Sequence, residues 1–330
     1  MMRFARPHVR RLAGALVALS TVLTVQHAPA QTSYPDRPVR LIVGFTPGSA
    51  TDITARIFAD RLNQVWGAPV VVENQPGGGG GTAANRVAKS PPDGYTLMWG
   101  ANGALTINPS LQSKLLYDPP RDFAPISLVL RMASVVAVNN DMPAKTMQDL
   151  IALARAQPGK LSYAHPGVGT PQHIAGELLK QIANVDMTQV PYRGAVFTDV
   201  LDGRVPILIA NMGSVLPTLQ DGRLRGIAVT SLERSPSLPE LPTIAESGFP
   251  GFEATSWFAL VAPAGTPQAI VDKVHDAAVK IVNEPETRAK FAQLGVDTVG
   301  SSPGELADIL KADIAKWAKV IADAGIKVGD

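Results

Sequence analysis

The sequence predicts an α/β fold built from two lobes. Runs of apolar and β-branched residues, each the length of a strand, alternate with segments whose apolar residues repeat at helical spacing. Two glycine-containing loops, one in each half of the chain, leave a predicted strand and enter a predicted helix. The 330 residues are enough for two lobes of ordinary size. Such alternation is typical of parallel strands covered by helices.

The predicted elements follow one another along most of the chain. The first helix places Ile53, Ile57, Phe58 and Leu62 on one face, which is the pattern of a helix packed on a sheet. The predicted strands span 39–43, 70–73, 95–99, 126–138, 161–164, 205–210, 226–230 and 257–262. The predicted helices span 51–64, 147–156, 172–182, 195–201, 267–282 and 303–324.

The first thirty residues have the pattern of a secretory signal peptide. Basic residues precede an apolar run over 12–25, and Ala28-Pro29-Ala30 supplies the small-residue exit, so cleavage is expected before Gln31. The apolar run is too short to span a bilayer comfortably, which argues against an uncleaved anchor. No cysteine follows it, so a lipid anchor on an N-terminal cysteine is excluded. We therefore expect residues 1–30 to be removed and the rest not to insert into a membrane.

The composition excludes several classes of function. The whole chain has 30 Lys+Arg and 28 Asp+Glu, and the four arginines of the predicted signal peptide leave 26 basic against 28 acidic residues. This near balance of basic and acidic residues does not indicate a nucleic-acid-binding protein. Because the chain has no cysteine, disulfides, thiolate metal sites and thiol catalysis are impossible.

The two glycine-containing loops look like anion sites. Residues 44–52 and 164–173 each run from a strand into a helix, and Thr170-Pro171 gives the second helix a cap followed by proline. Free N–H groups at a helix start favour negative charge, by about 0.3–1 kcal/mol from each helix end. Neither loop core contains Lys or Arg, an arrangement suited to reversible capture of a small acid. The alternative is that both loops are ordinary turns between a strand and a helix.

Several short motifs, taken in order, resemble those of one protein family. The motifs occur at 38–43, 48–52, 72–77, 92–97, 167–173, 190–194, 224–231 and 257–267. They include Pro92-Asp93-Gly94-Tyr95-Thr96-Leu97 and Val190-Pro191-Tyr192-Arg193-Gly194. Along nearly the whole chain after residue 30, the sequence is similar to the solute-binding proteins of tripartite tricarboxylate transporters, also called Bug receptors.

The resemblance implies a type 2 periplasmic-binding-protein fold, with two α/β lobes around a ligand cleft. The implied lobes are 31–135 with 255–330, including the C-terminal helices, and 136–254. In the family, the two loops hold ligand carboxylates through backbone amides, hydroxyls and water. The site residues implied by position are Phe45, Thr46, Ser49, Ala50, Thr51, Asp52, Asn102, Gly169, Thr170, Pro171, His173, Tyr192, Phe197, Thr198 and Asp199.

Two departures from the family pattern bear on the ligand. Ser49 follows Gly48 where the family has paired glycines, which adds a hydroxyl where the ligand is expected. Val196-Phe197 replaces the usual Pro-Ala, and a phenyl ring there favours an aromatic acid unless Phe197 belongs to the core. Two roles also stay open for His173 and Asp52, because each is placed to support its own helix start as well as to contact a ligand.

Competing motifs have simpler explanations. The glycines at 77–81 fit a loose dinucleotide pattern, but the next strand does not end on an acidic residue, so we expect a close-packed turn. Residues 300–304 match Gly-x-Ser-x-Gly, yet Ser302 with Glu305 reads as a capping box, and no histidine follows as an α/β hydrolase requires. The histidines after residue 30 show no metal-ligand spacing, so no metal or cofactor is expected.

The sequence therefore predicts a periplasmic solute-binding protein of a Gram-negative bacterium, and not an enzyme. It captures a small mono- or dicarboxylic acid, aliphatic or aromatic, for the subunits of a tripartite tricarboxylate-type transporter. The expected form is a monomer without cofactor, metal or nucleic-acid partner. The alternatives are a receptor that presents its ligand to a sensor kinase and a secreted α/β hydrolase.

Overall fold

Two β-sheets, each flanked by helices, form the molecule. The computed structural model describes residues 1–2, 34–192 and 196–326. Apart from its first two residues, the predicted signal peptide lies outside the described residues, as do Arg193 and Gly194 of the family motif. The two-lobed α/β fold predicted from the sequence is confirmed by the two sheets.

The strands divide between the sheets in two groups. The first sheet is six-stranded with the order β11-β4-β10-β3-β1-β2, and the second is five-stranded with the order β7-β6-β8-β5-β9. The strands are β1 (Val39–Val43), β2 (Val70–Asn74), β3 (Thr96–Ala101), β4 (Phe123–Met132), β5 (Ser134–Asn139), β6 (Ser162–His165), β7 (Thr188–Pro191), β8 (Ile207–Asn211), β9 (Leu224–Val229), β10 (Ser256–Pro263) and β11 (Asp297–Thr298). We call the parts that carry these sheets the first and second lobes.

The helices pack against the two sheets. A 3-10 turn at Gly78–Gly80 and a π-helical turn at Gly103–Ile107 accompany them. The α-helices are α1 (Ala50–Trp66), α2 (Gly81–Ala88), α3 (Asn108–Leu111), α4 (Pro119–Asp122), α5 (Met147–Ala156), α6 (Pro171–Ala183), α7 (Val196–Leu201), α8 (Met212–Gln220), α9 (Gln268–Asn283), α10 (Pro285–Ala292) and α11 (Pro303–Asp323).

The sequence explains where several helices begin. A capping box begins α5, where Thr146 and Asp149 bond reciprocally, and the capping box predicted for Ser302 and Glu305 is confirmed at the start of α11. Ser302 is thus a helix cap, as predicted. The apolar face of α1 packs on the first sheet through Phe58, whose ring lies 4.9 Å from that of Trp99. Burying such a phenyl ring stabilises the fold by about 1.5–3 kcal/mol.

Two predictions about the strands were wrong. The single strand predicted over 126–138 is two strands, β4 and β5, because the chain passes from the first sheet to the second at Ala133 while staying buried. The strands are also not all parallel. In the first sheet β10 runs antiparallel to β3 and β4, and in the second β5 runs antiparallel to β8 and β9. Buried mixed sheets carry the same apolar runs as parallel ones, which is why composition does not separate them.

These strands form two crossovers between the lobes. The first is Ala133, between β4 and β5, and the second is the segment from β9 to β10. Ser134 and Ser256 are therefore the first strand residues after each crossover. The domain boundaries expected at 135 and 254–255 remain a prediction.

The last helix contributes to both hydrophobic cores. Near its start, Leu306 and Leu310 pack with the core that contains Trp257 of the first sheet. Near its end, Trp317, Val320 and Ile321 pack with the core of the second sheet. Gln181 of α6 donates a hydrogen bond to the Val320 carbonyl at 3.0 Å. Helix α11 therefore spans both lobes.

The two lobes are also in close contact at Gly213. A Cβ on Gly213, in the first turn of α8, would lie 2.3 Å from the carbonyl oxygen of Leu294, which precedes β11. We expect Gly213→Ala to destabilise the protein by about 1–3 kcal/mol in urea unfolding, because backbone would have to move to make room. The matched control is Gly304→Ala, in the first turn of α11, where a Cβ would meet nothing within 4 Å. A Gly213 variant as stable as the control would contradict the close packing.

Candidate ligand-binding cleft

A cleft of about 410 Å³ lies where the two lobes face each other. Both lobes contribute to its walls, and none of the described residues that line it is Lys, Arg, Asp, Glu or His. The described lining residues are Phe45, Ser49, Ala50, Thr51, Gly78, Gly79, Ala101, Asn102, Gly103, Asn108, Leu111, Gln112, Pro166, Val168, Gly169, Thr170, Pro171, Gln172, Asn211, Ser256 and Phe258. These residues offer hydroxyls, amides, backbone N–H groups and apolar side chains, and none of them carries a formal charge.

The loop between β1 and α1 presents free donors to this cleft. Ser49 caps α1 and accepts a hydrogen bond from the Asp52 N–H at 3.2 Å, which leaves its hydroxyl hydrogen available. In the described part of the chain, the N–H groups of Ala50 and Thr51 have no hydrogen-bond acceptor. Both belong to the first turn of α1, where the helix dipole favours negative charge. This loop can bind an anion without a cationic side chain.

Asp52 supports the loop from below and does not line the cleft. Its carboxylate accepts hydrogen bonds from the Gly48 N–H at 2.9 Å, Asn74 Nδ2 at 2.8 Å and Arg56 Nε at 3.0 Å. Burial alone would raise the pKa of Asp52, but the hydrogen bonds from Arg56, Gly48 and Asn74 outweigh it and lower the pKa. Asn74 also donates to the Phe45 carbonyl at 3.0 Å. Asp52 therefore fixes the shape of the loop as an ionised group.

The loop between β6 and α6 uses most of its hydrogen-bond donors in bonds to its own residues and to the two histidines beside it. Thr170 caps α6, and its hydroxyl donates to the Gly167 carbonyl at 2.7 Å. The N–H of Gly169 donates to His173 Nδ1 at 3.2 Å. His165 Nδ1 lies 2.9 Å from the Gly167 carbonyl oxygen and 3.2 Å from the Gly167 nitrogen, so it can bond to the start of the loop in either tautomer. Within the described ranges, the Val168 and Gln172 N–H groups of this loop and the first α6 turn lack an acceptor. The second lobe thus has fewer donors to offer than the first.

Two stacked histidines hold this second loop. The rings of His165 and His173 lie 4.6 Å apart with an interplanar angle of 21°. Burial lowers the pKa of His173 from 6.5 to about 4, with further lowering from nearby His165 and Lys180. Burial also lowers the pKa of His165. Near neutral pH both rings are uncharged and free to accept hydrogen bonds from the loop.

A polar cluster forms the floor of the cleft between the crossovers. Gln172 Nε2 lies 2.5 Å from Asn211 Oδ1, 3.1 Å from Ser134 Oγ and 3.2 Å from Ser256 Oγ. Beside it, Asn102 Nδ2 donates to the Thr255 carbonyl at 3.0 Å. The floor therefore ties cleft residues to the two segments that join the lobes.

The structure brings only some of the predicted site residues together. Those that line the cleft are Phe45, Ser49, Ala50, Thr51, Asn102, Gly169, Thr170 and Pro171. Asp52 and His173 lie behind the two loops, and Thr46 is exposed on the first one. Tyr192 donates to Asp199 at 2.7 Å, next to exposed Thr198, and all three lie outside the cleft lining. Phe197 packs against the core, so its ring does not form a wall of the cleft.

Sequence reasoning missed the far wall and the floor of the cleft. Gln172 lies within the motif at 167–173 but was not among the predicted site residues, and Asn211 and Ser256 lie outside every motif. The glycine run was predicted as a close-packed turn, and Gly77 to Gly80 all have positive φ. A Cβ on Gly44 would lie 2.6 Å from the Cα of Gly80, so the turn is indeed close-packed. The same turn also brings Gly78 and Gly79 to the cleft wall, which the sequence did not indicate.

A larger crevice, of about 520 Å³, has a different character. It lies beside β11 and the segment after β9, and its lining includes arginines and acids of both signs. Arg234 in this lining is paired with Glu246 at 2.9 Å. A lining of mixed charges does not define an anion site, so the cleft between the two loops is the better candidate.

Comparison with known proteins agrees with this geometry. A model described as "Tripartite tricarboxylate transporter family receptor" matches residues 54–326. A relative from Pseudomonas sp. (strain P51), named "UPF0065 protein in tcbD-tcbE intergenic region", is 38% identical over 317 residues, covering 95% of this chain and 94% of the relative. The solved structure "R. palustris Rpa4515 with adipate" is 38% identical with a TM-score of 0.79, covering 89% of this chain and 99% of that one. "MatC (Rpa3494) from Rhodopseudomonas palustris with bound malate" is 31% identical with a TM-score of 0.74, covering 87% and 100%.

The fold, the cleft and these matches identify a periplasmic solute-binding protein, a receptor and not an enzyme. In the described ranges, no helix combines the length and apolar character needed to cross a membrane. The chain belongs to the tripartite tricarboxylate transporter receptor family, which confirms the resemblance seen in the sequence.

Proposed function

We propose that this receptor captures a small aliphatic mono- or dicarboxylic acid and delivers it to the membrane subunits of a tripartite transporter. The observation that carries the proposal is the pair of N–H groups on Ala50 and Thr51 at the start of α1, beside the Ser49 hydroxyl, which find no acceptor among the described residues. A carboxylate oxygen is the natural acceptor for such donors.

The described residues of the cleft lining carry no charge, which supports reversible capture. A buried Arg or Lys would hold an acid tightly, whereas neutral donors and a helix end contribute less per contact. Apolar groups complete the cleft: Phe45, Leu111 and Phe258 face the same space as the donors. An acid with a short apolar body fits both features, and the adipate and malate named with the two structural relatives are acids of this kind.

The alternative of an aromatic acid as ligand was based on Phe197, which is not in the cleft lining. Phe197 packs against the core and not against the cleft. We therefore place aliphatic acids first. The remaining parts of the proposal are export by the predicted signal peptide, function as a monomer in the periplasm of a Gram-negative bacterium, and transport in preference to presentation to a sensor kinase. Growth on the identified acid after deletion of the transporter genes separates transport from sensing.

The first test is a thermal-shift screen of residues 31–330 against adipate, malate and benzoate. An acid present at about 100 times its Kd should stabilise the protein by roughly 2.7 kcal/mol. We expect adipate or malate to raise the melting temperature and benzoate to leave it unchanged. No shift with any of the three acids, on folded protein freed of carried-over ligand, would overturn carboxylate capture.

Replacement of a capping serine separates ligand contact from helix stability. Ser49→Ala removes the α1 cap and the cleft hydroxyl, and we expect adipate binding to weaken roughly tenfold or more in calorimetry. Ser302→Ala removes the same kind of cap from α11, outside the cleft lining. Both should cost about 1 kcal/mol of stability, but only the first should change affinity. Equal affinity in the two variants would exclude Ser49 from the ligand contacts.

A further inference from the structure

The side chain of Asn211 is held in one orientation at the floor of the cleft. Its Oδ1 accepts hydrogen bonds from Gln172 Nε2 at 2.5 Å and Ser256 Oγ at 3.1 Å, and Ser134 Oγ lies at 3.4 Å. Three donors converge on this oxygen, so it is the acceptor end of the amide that faces the cluster. The Nδ2 group forms no hydrogen bond within the described residues, although Asn211 lines the cleft.

Asn211 also stands opposite the free donors of the other lobe. A side pocket of about 210 Å³ adjoins the cleft, and Ala50 and Asn211 line both spaces. Ala50 supplies one of the α1 N–H groups that lack an acceptor among the described residues, while Asn211 ends β8 of the second sheet. Because the loop before α6 uses most of its donors internally, the Asn211 amide is the main side-chain donor that the described part of the second lobe offers here.

We propose that Asn211 contacts the ligand and sets its specificity, with Nδ2 donating to a ligand oxygen that also lies near the Ala50 N–H. Gln172 is the positioning residue that keeps the Asn211 oxygen turned away. The proposal rests on carboxylate capture by the cleft. It adds a direct contact between the acid and the second lobe, so that one ligand oxygen is held from both lobes.

The arrangement connects ligand contact to the crossovers. Ser134 and Ser256 follow the two crossovers directly, and both bond to the amides of Gln172 and Asn211. A change in the angle between the lobes therefore acts on the groups that orient Asn211. A ligand oxygen bound to Nδ2 stabilises the arrangement in which all these hydrogen bonds are made.

The test compares two amide-to-acid substitutions by calorimetry with adipate. Asn211→Asp keeps the oxygen that accepts from Gln172 and Ser256 but replaces the free donor with a carboxylate. Gln148→Glu is the control outside the cleft lining, at an amide of the second lobe that donates to the Ser247 carbonyl at 2.9 Å. We expect roughly a 10- to 100-fold weaker Kd for Asn211→Asp, the effect of losing a hydrogen bond to a charged group, and less than about a threefold change for Gln148→Glu.

Two further variants separate donor loss from charge and from folding. Asn211→Ala adds no charge and is expected to keep a loss of roughly tenfold or more. Gln172→Met adds no charge and cannot donate to Asn211, so the Asn211 amide is free to turn and present its oxygen to the ligand. Combined with Asn211→Ala, Gln172→Met should then add less than about a threefold further loss, because the two residues act as one unit. If the double variant instead loses affinity by the product of the two single losses, Gln172 acts independently of Asn211.

The outcomes distinguish this inference from the function on which it rests. If the unaltered protein binds neither adipate nor malate, carboxylate capture fails and the inference fails with it. If only malate binds, malate replaces adipate as the probe. If the unaltered protein binds one of them and both Asn211 variants bind it within about threefold, capture stands and the role of Asn211 is overturned. Melting temperatures without acid confirm that each variant is folded.

Discussion

Asp52→Ala is expected to weaken acid capture severely while leaving a folded but less stable protein. The buried carboxylate is the common acceptor for the Gly48 N–H and the Asn74 amide, and it pairs with Arg56. Without it, these donors lose their partner and the loop that presents the Ala50 and Thr51 N–H groups loses its shape. Stranded donors cost about 1–3 kcal/mol each, so a stability loss of about 2–4 kcal/mol is expected in urea unfolding.

The Asp52→Ala substitution should impair ligand binding even in the molecules that stay folded. Because the ligand donors are backbone groups, their positions depend entirely on the loop, and we expect adipate to bind roughly 100-fold more weakly. Asp149→Ala is the matched control, since Asp149 also accepts backbone N–H bonds at a helix start, from Lys145 and Thr146 in the second lobe. It should leave the affinity unchanged. An Asp52 variant with unaltered affinity would show that the loop holds its shape without the carboxylate.

Acid is expected to destabilise the protein through the stacked histidines. His173 has a pKa of about 4 in the folded state against 6.5 ordinarily, because burial and the nearby His165 and Lys180 oppose its charge. Between these values the unfolded chain binds more protons, so lowering the pH favours unfolding. The loss begins below about pH 6.5 and is complete near pH 4, and it amounts to about 3 kcal/mol for His173. The lowered pKa of His165 acts in the same direction.

Urea unfolding at several pH values between 6.5 and 4.5 measures this effect, since most carboxylates stay ionised over that range. His173→Asn is the informative variant: its Oδ1 can accept the Gly169 N–H as Nδ1 does, but the side chain does not titrate. We expect its stability to fall less steeply with acid than that of the unaltered protein. Parallel curves for the two proteins would mean that His173 does not control the acid sensitivity.

Much of the fold could be predicted because local patterns decide it. The helix over 147–156 was predicted with the bounds it has, since its capping box and apolar spacing are contained in the sequence. Helix α8 was missed because Pro217 interrupts the helical pattern from inside. The division of 126–138 into β4 and β5 was missed because a buried strand keeps the same apolar run when it changes sheets.

In the candidate site too, the residues that could be predicted are those whose role depends on their neighbours in sequence. Ser49 and Thr170 could be identified as caps, because a cap is recognised from the residues that follow it. Asn211 could not, because its importance comes from Gln172, 39 residues away, and from Ser256, 45 residues away. Tyr192 and Asp199 were expected near the ligand, but they bond to each other outside the cleft lining.

The position of β10 has a consequence for how the chain is completed during synthesis. Strands β3 and β4 do not pair with each other, because β10 lies between them, and β10 is made only after every strand of the second sheet. A nascent chain that ends before residue 256 contains all of the second sheet but has a gap one strand wide in the first. The apolar edges of β3 and β4 stay open at that stage, and such edges invite pairing with other chains. The segment Ser256–Pro263 is therefore the piece whose late arrival closes the first sheet and removes that hazard.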